Sequence, residues 1–227
     1  MEVSRIYILV PAFNEALVVR GVLESLLKLP YQVVFIDDGS TDGTEEILKG
    51  LPIHYVRHHI NMGQGAALQT GFNYARRRNA EMVICFDADG QHDPNDIPLL
   101  LAPLISQEAD IVFGSRFIKG AVTNISVGRK LLIKVARMVN FLFTGMWLSD
   151  AHNGLRALNQ EALAQVKLLE NHSAHASEFL FQAKKWNWKW KEVPVHIHYS
   201  NYSRRKGTKP VSGFRIFIDL TLHKLFE

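Results

Sequence analysis

The sequence predicts an α/β protein, a mostly parallel sheet with helices packed on both faces. Three observations carry that prediction. Short apolar, β-branched runs alternate with segments of helical period from residue 6 to about residue 115, the pattern of a parallel sheet covered on both sides. Polar residues follow each run, at Asn14 and Glu15, Asp37 and Asp38, Asp87 and Asp89, and Ser115 and Arg116. In an open parallel sheet the ligand crevice lies beyond the carboxyl ends of the strands, so these four clusters are expected to meet on one edge. The 227 residues, 47% hydrophobic and 21% charged, are ample for one large core.

Taken in order, Ile6–Val10 is a buried strand stopped by Pro11. Val18, Val19, Val22, Leu23, Leu26 and Leu27 then recur on one helical face. Val33–Ile36 is a second strand, Thr41–Leu48 a short capped helix, and Ile53–Arg57 a weaker third strand. A helix over Gly63–Arg78 leads into the apolar run Met82–Phe86. Asp93 and Pro94 make an N-cap and first-turn pair for a helix whose apolar side carries Ile97, Leu100, Leu101 and Leu104. Ile111–Phe113 is a further strand.

The second half is less regular. Leu131–Leu148 is apolar but interrupted by Lys134, Arg137 and Asn140, which fits an amphipathic helix, packed in the core or lying on a membrane, better than a span. Asp150–Arg156 reads as a polar turn entering a short strand, Ser177–Lys185 as a helix, and Trp188–His198 as a strand. Ser200–Ser212 is basic and glycine-bearing, a mobile loop by composition, and a last amphipathic helix covers Val211–Phe226.

Net charge is +4, but its sign is unevenly placed. No acid falls between Asp110 and Asp150, or between Glu192 and Asp219, whereas those tracts hold eleven Lys and Arg residues. Acidic clusters lie in the first half, so a metal site facing a basic surface for an anionic partner is expected. Cys85 is the only cysteine, which excludes an intrachain disulfide; inside an apolar run it reads as a small buried hydrophobe. The N-terminus lacks the basic start and apolar core of a secretion signal, which predicts a cytosolic protein.

The run Met82–Phe86 leads directly into Asp87-Ala88-Asp89-Gly90-Gln91. Alternation along an extended chain would point Asp87 and Asp89 the same way. Two converging carboxylates repel unless a cation lies between them, and hard oxygens suit Mg²⁺ or Mn²⁺ sharing oxygens with a substrate phosphate. Turn capping by Asp87 with a loop hydrogen bond from Asp89 is the structural alternative.

Pro11-Ala12-Phe13-Asn14-Glu15, Asp37-Asp38-Gly39-Ser40-Thr41-Asp42, Asn61-Met62-Gly63-Gln64-Gly65, Asp87-Ala88-Asp89-Gly90-Gln91 and Gly114-Ser115-Arg116-Phe117 occur in this order. The ordered set resembles the family-2 inverting glycosyltransferases, in their dolichyl-phosphate mannose synthase-like branch. Asp150–Arg156 is similar to that branch's acceptor-side motif, and Ser203–Thr208 to its basic acceptor loop. The likeness runs from about residue 6 to about residue 209. It departs at Ala151-His152-Asn153-Gly154-Leu155-Arg156, where the branch often has Thr-Ser-Gly-Phe-Arg. Many relatives continue into membrane-spanning helices, whereas this sequence ends at Glu227.

The resemblance implies a GT-A fold, one Rossmann-like domain over residues 1–227. Residues 1–115 would form its nucleotide-sugar half and residues 116–227 its acceptor half. It implies that Pro11, Asn14, Glu15 and Asp38 line the base and ribose pocket, with Gln64 and Asp87 completing the donor set. Asp87, Asp89 and Gln91 would hold Mg²⁺ or Mn²⁺ on the diphosphate, while Arg116 and Arg129 stabilise the charge of the departing nucleotide. Asp150 would be the general base for a hydroxyl acceptor, or would orient an already ionised lipid phosphate. Arg204 and Arg205 would grip the acceptor phosphate. The implied partners are a UDP- or GDP-linked sugar, a polyprenyl-phosphate or glycan acceptor, and the cytoplasmic face of a membrane as a peripheral surface. A nucleotidyl-transferring pyrophosphorylase would need a glycine-rich Arg/Lys loop after the first strand, which Pro11–Glu15 does not offer, and no nucleic-acid recognition module is present.

Overall fold

The computed structural model describes residues 5–123, 137–138, 141–142, 145–151, 153–171 and 175–199. Its centre is a seven-stranded sheet in the order β3-β2-β1-β4-β7-β5-β8. These strands are β1 (Ile6–Ala12), β2 (Gln32–Asp37), β3 (His54–Arg57), β4 (Met82–Cys85), β5 (Ile111–Ser115), β7 (Arg156–Asn159) and β8 (Trp190–Pro194). All run parallel except β7, which lies antiparallel between β4 and β5. A two-stranded parallel ribbon, β6 (Val122–Thr123) with β9 (His196–Ile197), sits beside it.

Helices cover both faces, as the apolar stripes require. Helices α1 (Val19–Leu26), α2 (Thr44–Leu48) and α4 (Ile97–Ile105) close one core, in which Leu23, Leu26, Ile97 and Leu100 pack on Ile8, Val10, Phe35 and Ile84. Helices α3 (Gln64–Arg77), α5 (Gln160–Gln165) and α6 (His175–Lys185) close the other, where Leu68, Phe72, Leu163, Phe179 and Leu180 pack on Leu9, Val34, Val83 and Phe113. Each fully buried Leu, Ile or Phe contributes about 1.5–3 kcal/mol by leaving water.

The structure differs from the sequence reading in instructive places. β1 continues through Pro11 to Ala12. The Leu9 carbonyl accepts from the Phe86 N–H, so alternation turns Pro11 toward the β4 side, where it has no N–H to extend the ladder. Pairing with β4 therefore ends at Leu9 and Cys85, and the chain carrying Asp87 and Asp89 is released from the sheet. α2 begins at Thr44 rather than Thr41, because Asp42 accepts from both the Thr44 N–H and its hydroxyl. Asp93 caps the turn Pro94–Asp96 as expected, accepting from the Asn95 N–H. The expected strand over Trp188–His198 divides at Val195 into β8 and β9. Residues 137–138 and 141–142 are helical, but Gly145 adopts φ +71° and its N–H returns to the Phe141 carbonyl, so Met146 and Leu148 enter the core outside any helix. The expected loop over Ser200–Ser212 and the last helix over Val211–Phe226 lie outside the described residues. Among the described residues no helix is long and apolar enough to cross a membrane.

Candidate active site

Because six strands are parallel, their carboxyl ends share one edge. β7 runs the other way, so the residues that enter it, 145–151 and 153–155, arrive at that same edge. The four predicted polar clusters and the Asp150 turn are thereby brought together.

At the tip of β4, one Asp87 oxygen accepts from the Gln64 amide at 2.7 Å and the other pairs with His92 Nε2 at 3.1 Å. The His92 ring is buried edge-on against Phe86. Burial acts to raise the Asp87 pKa, but the His92 hydrogen bond and the charges of His92, Arg156 and His175 carry it below the ordinary carboxylate value. Asp89 is the reverse. Burial first and the Asp87 charge second, with Glu15 adding to them, push it up to about 6. Its oxygens accept from the Gln91 N–H at 3.0 Å and from the Gln91 side-chain amide. Asp89 and Gln91 thus face one another, and the mutual repulsion of Asp87 and Asp89 marks a place short of positive charge.

At the tips of β1 and β2 the chain is tied into a tight frame. Asn14, at φ +54°, donates its N–H to Ser40 Oγ at 2.9 Å and accepts from the Thr41 N–H at 2.8 Å. Asp42 accepts from the Ala16 N–H. Asp38 is almost fully buried and accepts from the Met62 and Gly63 N–H groups at 2.9 and 2.7 Å, with His58 Nδ1 at 2.7 Å. Its carboxylate thus fastens the Asn61–Gly65 turn to β2. Gly65 has a packing role: a Cβ there would lie 1.9 Å from the Glu170 carbonyl oxygen.

At the tip of β5, Arg116 and Asp150 form a bidentate pair with both contacts at 2.6 Å, and the Arg116 N–H reaches the same carboxylate at 3.0 Å. Arg116 Nη1 donates to the Tyr199 hydroxyl at 2.6 Å. Burial works against the Arg116 charge, but Asp150 and Tyr199 more than restore it, and its pKa stands above the ordinary value. On the same turn, Gly154 lies directly against Asp87; a Cβ there would meet an Asp87 oxygen at 2.0 Å. Beneath both carboxylates lies Arg156, which is 1% exposed. Its guanidinium stands 4.4 Å from the Phe179 ring centroid and donates to the Asn153 carbonyl at 2.6 Å. Burial lowers its pKa, opposed by the charges of Cys85, Asp87 and Asp150.

The structure therefore gathers Asn14, Glu15, Asp38, Gln64, Asp87, Asp89, Gln91, Arg116 and Asp150 on one edge, with Pro11 in the strand behind them. Arg129, Arg204 and Arg205 lie outside the described residues. Among the described residues no three His, Cys, Asp or Glu side chains converge as a ready-made metal cluster. Asp89, whose charge is opposed by burial and by Asp87, together with Asp87 still fits a hard cation whose remaining ligands are substrate oxygens and water. The sequence assigns no role to His92, Gly154, Arg156 or Tyr199. His92 adjoins a motif and Gly154 and Arg156 lie within one, but their roles depend on partners brought from elsewhere in the chain.

Three comparisons bear on identity. Residues 7–167 match the family described as Glycosyl transferase family 2. The UDP-N-acetylglucosamine–dolichyl-phosphate N-acetylglucosaminyltransferase of Methanococcus voltae is 32% identical, with 97% of this chain and 96% of that protein covered. The dolichol-phosphate mannosyltransferase of Pyrococcus furiosus is 29% identical, over 94% of this chain and 61% of that protein. Among solved structures, glucosyl-3-phosphoglycerate synthase from Mycobacterium tuberculosis, in complex with Mn²⁺, UDP and phosphoglyceric acid, superposes with a TM-score of 0.74 at 18% identity, covering 97% of this chain and 78% of that one.

Proposed function

Since the chain belongs to glycosyl transferase family 2 and has a GT-A fold, we propose that this glycosyltransferase moves a sugar from a nucleoside-diphosphate donor to a polyprenyl phosphate. The observation that carries the choice of acceptor is the Arg116–Asp150 pair. A general base must reach the acceptor's proton and be basic enough to take it, and both burial and a guanidinium partner oppose this. Here both Asp150 oxygens are held by Arg116 at 2.6 Å and the side chain is fully buried. A hydroxyl acceptor would need that pair opened, whereas a phosphate arrives ionised and needs no base. The dolichyl-phosphate enzyme of Methanococcus voltae and the polyprenol monophosphomannose synthase of Mycolicibacterium smegmatis are similar along most of this chain.

In this reading residues 1–115 bind the donor and residues 116–227 the acceptor. Pro11, Asn14, Glu15 and Asp38 border the nucleoside, with Gln64 holding Asp87 toward the diphosphate. Asp87 and Asp89, with Gln91 fixing Asp89, hold Mg²⁺ or Mn²⁺, as the Mn²⁺ and UDP in the glucosyl-3-phosphoglycerate synthase structures suggest. The cation supplies neutralisation of the charge that gathers on the nucleotide as the glycosidic C–O bond breaks. Arg116 sits on the same edge and adds fixed positive charge, with Arg129 as a second source. The acceptor phosphate attacks from the opposite face and inverts the anomeric centre. Arg204 and Arg205 present it, since a guanidinium fork matches phosphate oxygens. The protein acts in the cytoplasm, peripherally at the membrane face that carries its lipid.

The test offers radiolabelled UDP- and GDP-sugars with Mn²⁺ to two acceptors in parallel, a detergent-dispersed polyprenyl phosphate and a glycan bearing free hydroxyls. The reading expects a lipid-linked sugar released by mild acid and lost on adding chelator. An acid-stable glycoside would instead support transfer to a sugar hydroxyl, and no product from either acceptor would refute both.

A further inference from the structure

We infer that Glu192, on the edge strand β8, is a positioning residue that sets the Arg116–Asp150 pair from behind. Its two oxygens accept the Ser149 N–H at 2.9 Å each, and one of them also accepts the Ser149 hydroxyl at 2.7 Å and the Asp150 N–H at 3.1 Å. Ser149 Oγ lies 2.5 Å from Ser115 Oγ, which accepts the Phe117 N–H at 3.1 Å. The single Ser149 proton points to Glu192, so the Ser115 hydroxyl must donate to Ser149 Oγ. One carboxylate thereby orients the turn that carries Asp150 and, through two hydroxyls, the backbone on both sides of Arg116.

Glu192 has no ion-pair partner among the described residues; the neighbouring Lys191 pairs with Glu108 instead. Its charge is used on the N–H and O–H donors of residues 149 and 150, which have no helix or strand of their own to satisfy them. β8 pairs with β5, Glu192 standing in register with Phe113. The carboxylate therefore reaches the Asp150 turn from a strand that also holds β5, and so fixes the two members of the pair relative to each other.

This inference rests on the transfer reading above only for its kinetic consequence. The test compares Glu192→Met, Glu192→Gln, Asp150→Asn and the double variant Glu192→Met/Asp150→Asn. A displacement of about 1 Å at a reacting centre costs roughly a hundredfold in rate. Glu192→Met should thus lower kcat about 10- to 100-fold, with donor KM and calorimetric affinity for UDP or GDP with Mn²⁺ within about threefold of wild type. Glu192→Gln, which keeps one acceptor oxygen, should recover most of the loss. The double variant should fall no more than about threefold below Asp150→Asn alone, because residues acting through one another are non-additive. Wild-type kcat in Glu192→Met, or losses that multiply fully in the double variant, would overturn the inference. Should the wild type transfer no sugar to lipid phosphate, the transfer reading fails by itself. The same four proteins then test the network by thermal unfolding: non-additive Tm shifts uphold it and additive shifts overturn it. If the methionine variant does not fold, Ser149→Ala, which removes the hydroxyl that links Glu192 to Ser115, takes its place in both cycles.

Discussion

Replacing Gly154 by alanine is the sharpest test of how the turn before β7 meets the β4 tip. A Cβ at this position would stand 2.0 Å from Asp87 Oδ2, 2.7 Å from its Cγ and 2.9 Å from Oδ1. An ordinary carbon–oxygen contact is about 3.3 Å, so either the carboxylate or the turn must give way by roughly 1.3 Å. Asp87 cannot retreat freely, since Gln64 and His92 hold it. Gly154 is not among the glycines with positive φ, so the substitution tests space alone. Overpacking of this kind costs about 1–3 kcal/mol, which for a chain of this size lowers Tm by roughly 2–12 °C. Movement of Asp87 by about 1 Å would lower kcat roughly a hundredfold. Gly21→Ala is the control: nothing lies within 4 Å of its Cβ and it sits in α1, so it should gain about 0.5–1 kcal/mol. Differential scanning fluorimetry and the transfer assay read both variants. Gly154→Ala with wild-type Tm and wild-type rate would refute the close approach and the role given to it.

Three further outcomes follow from the same geometry. Asp89, raised to about 6 in the fold against 3.8 when free, binds its proton more tightly in the native state. Metal-free protein therefore loses stability as pH rises from about 4 to 6 and keeps that deficit above. Asp89→Asn should recover up to roughly 3 kcal/mol above pH 6 and nothing below pH 4, read as Tm in chelator across that range, while transfer is abolished. Arg116→Met strands the fully buried Asp150 carboxylate and should cost about 3–5 kcal/mol in chemical denaturation, whereas Arg116→Met/Asp150→Asn should regain much of it. His196, paired with Asp96 at 2.7 Å, has its pKa raised by that hydrogen bond and charge. The pair contributes fully below pH 6.5 and is lost as pH rises through the raised value, so Asp96→Asn should flatten the fall in Tm above pH 6.5.

Long periodic segments were legible because burial demands them. The Val19–Leu26 and Ile97–Ile105 helices and the first two strands follow from their apolar spacing. Arg156–Asn159 was not legible as an inserted strand, since four residues carry no period and nothing local states that β4 and β5 would take it between them. Gln160–Gln165 is likewise too short to show a helical stripe. Pro11 reads as a strand breaker, yet it falls where its missing N–H has no ladder to break. At the site, residue types were legible and their partners were not. Asp87, Asp89, Arg116 and Asp150 stand out as charged residues after apolar runs. That Arg116 would close on Asp150, 34 residues away, or that Asp38 would be consumed in holding Met62 and Gly63, depends on tertiary approach.

Among the described residues β7 alone runs against its neighbours in the large sheet, and this brings Asp150 and Gly154 to the edge that carries Arg116 and Asp87. A parallel strand contributes only its exit loop to the carboxyl edge. A sheet made wholly of parallel strands would draw every site residue from such exits. β7 contributes its entrance instead, so Asp150, Asn153 and Gly154 reach the edge on a chain fastened to β4 and β5. The fastening is specific. Gly154 abuts Asp87 beside β4, Asp150 closes on Arg116 beyond β5, and Arg156 carries a positive charge beneath both carboxylates. Movement of β7 by one residue would send Arg156 to the opposite face of the sheet, since side chains alternate. Such a shift would lift Gly154 off Asp87 and leave a buried guanidinium among aliphatic neighbours, a cost the core could not absorb. The register of β7 and the geometry of the site are thus one constraint, which its place between β4 and β5, paired on both sides, holds fixed.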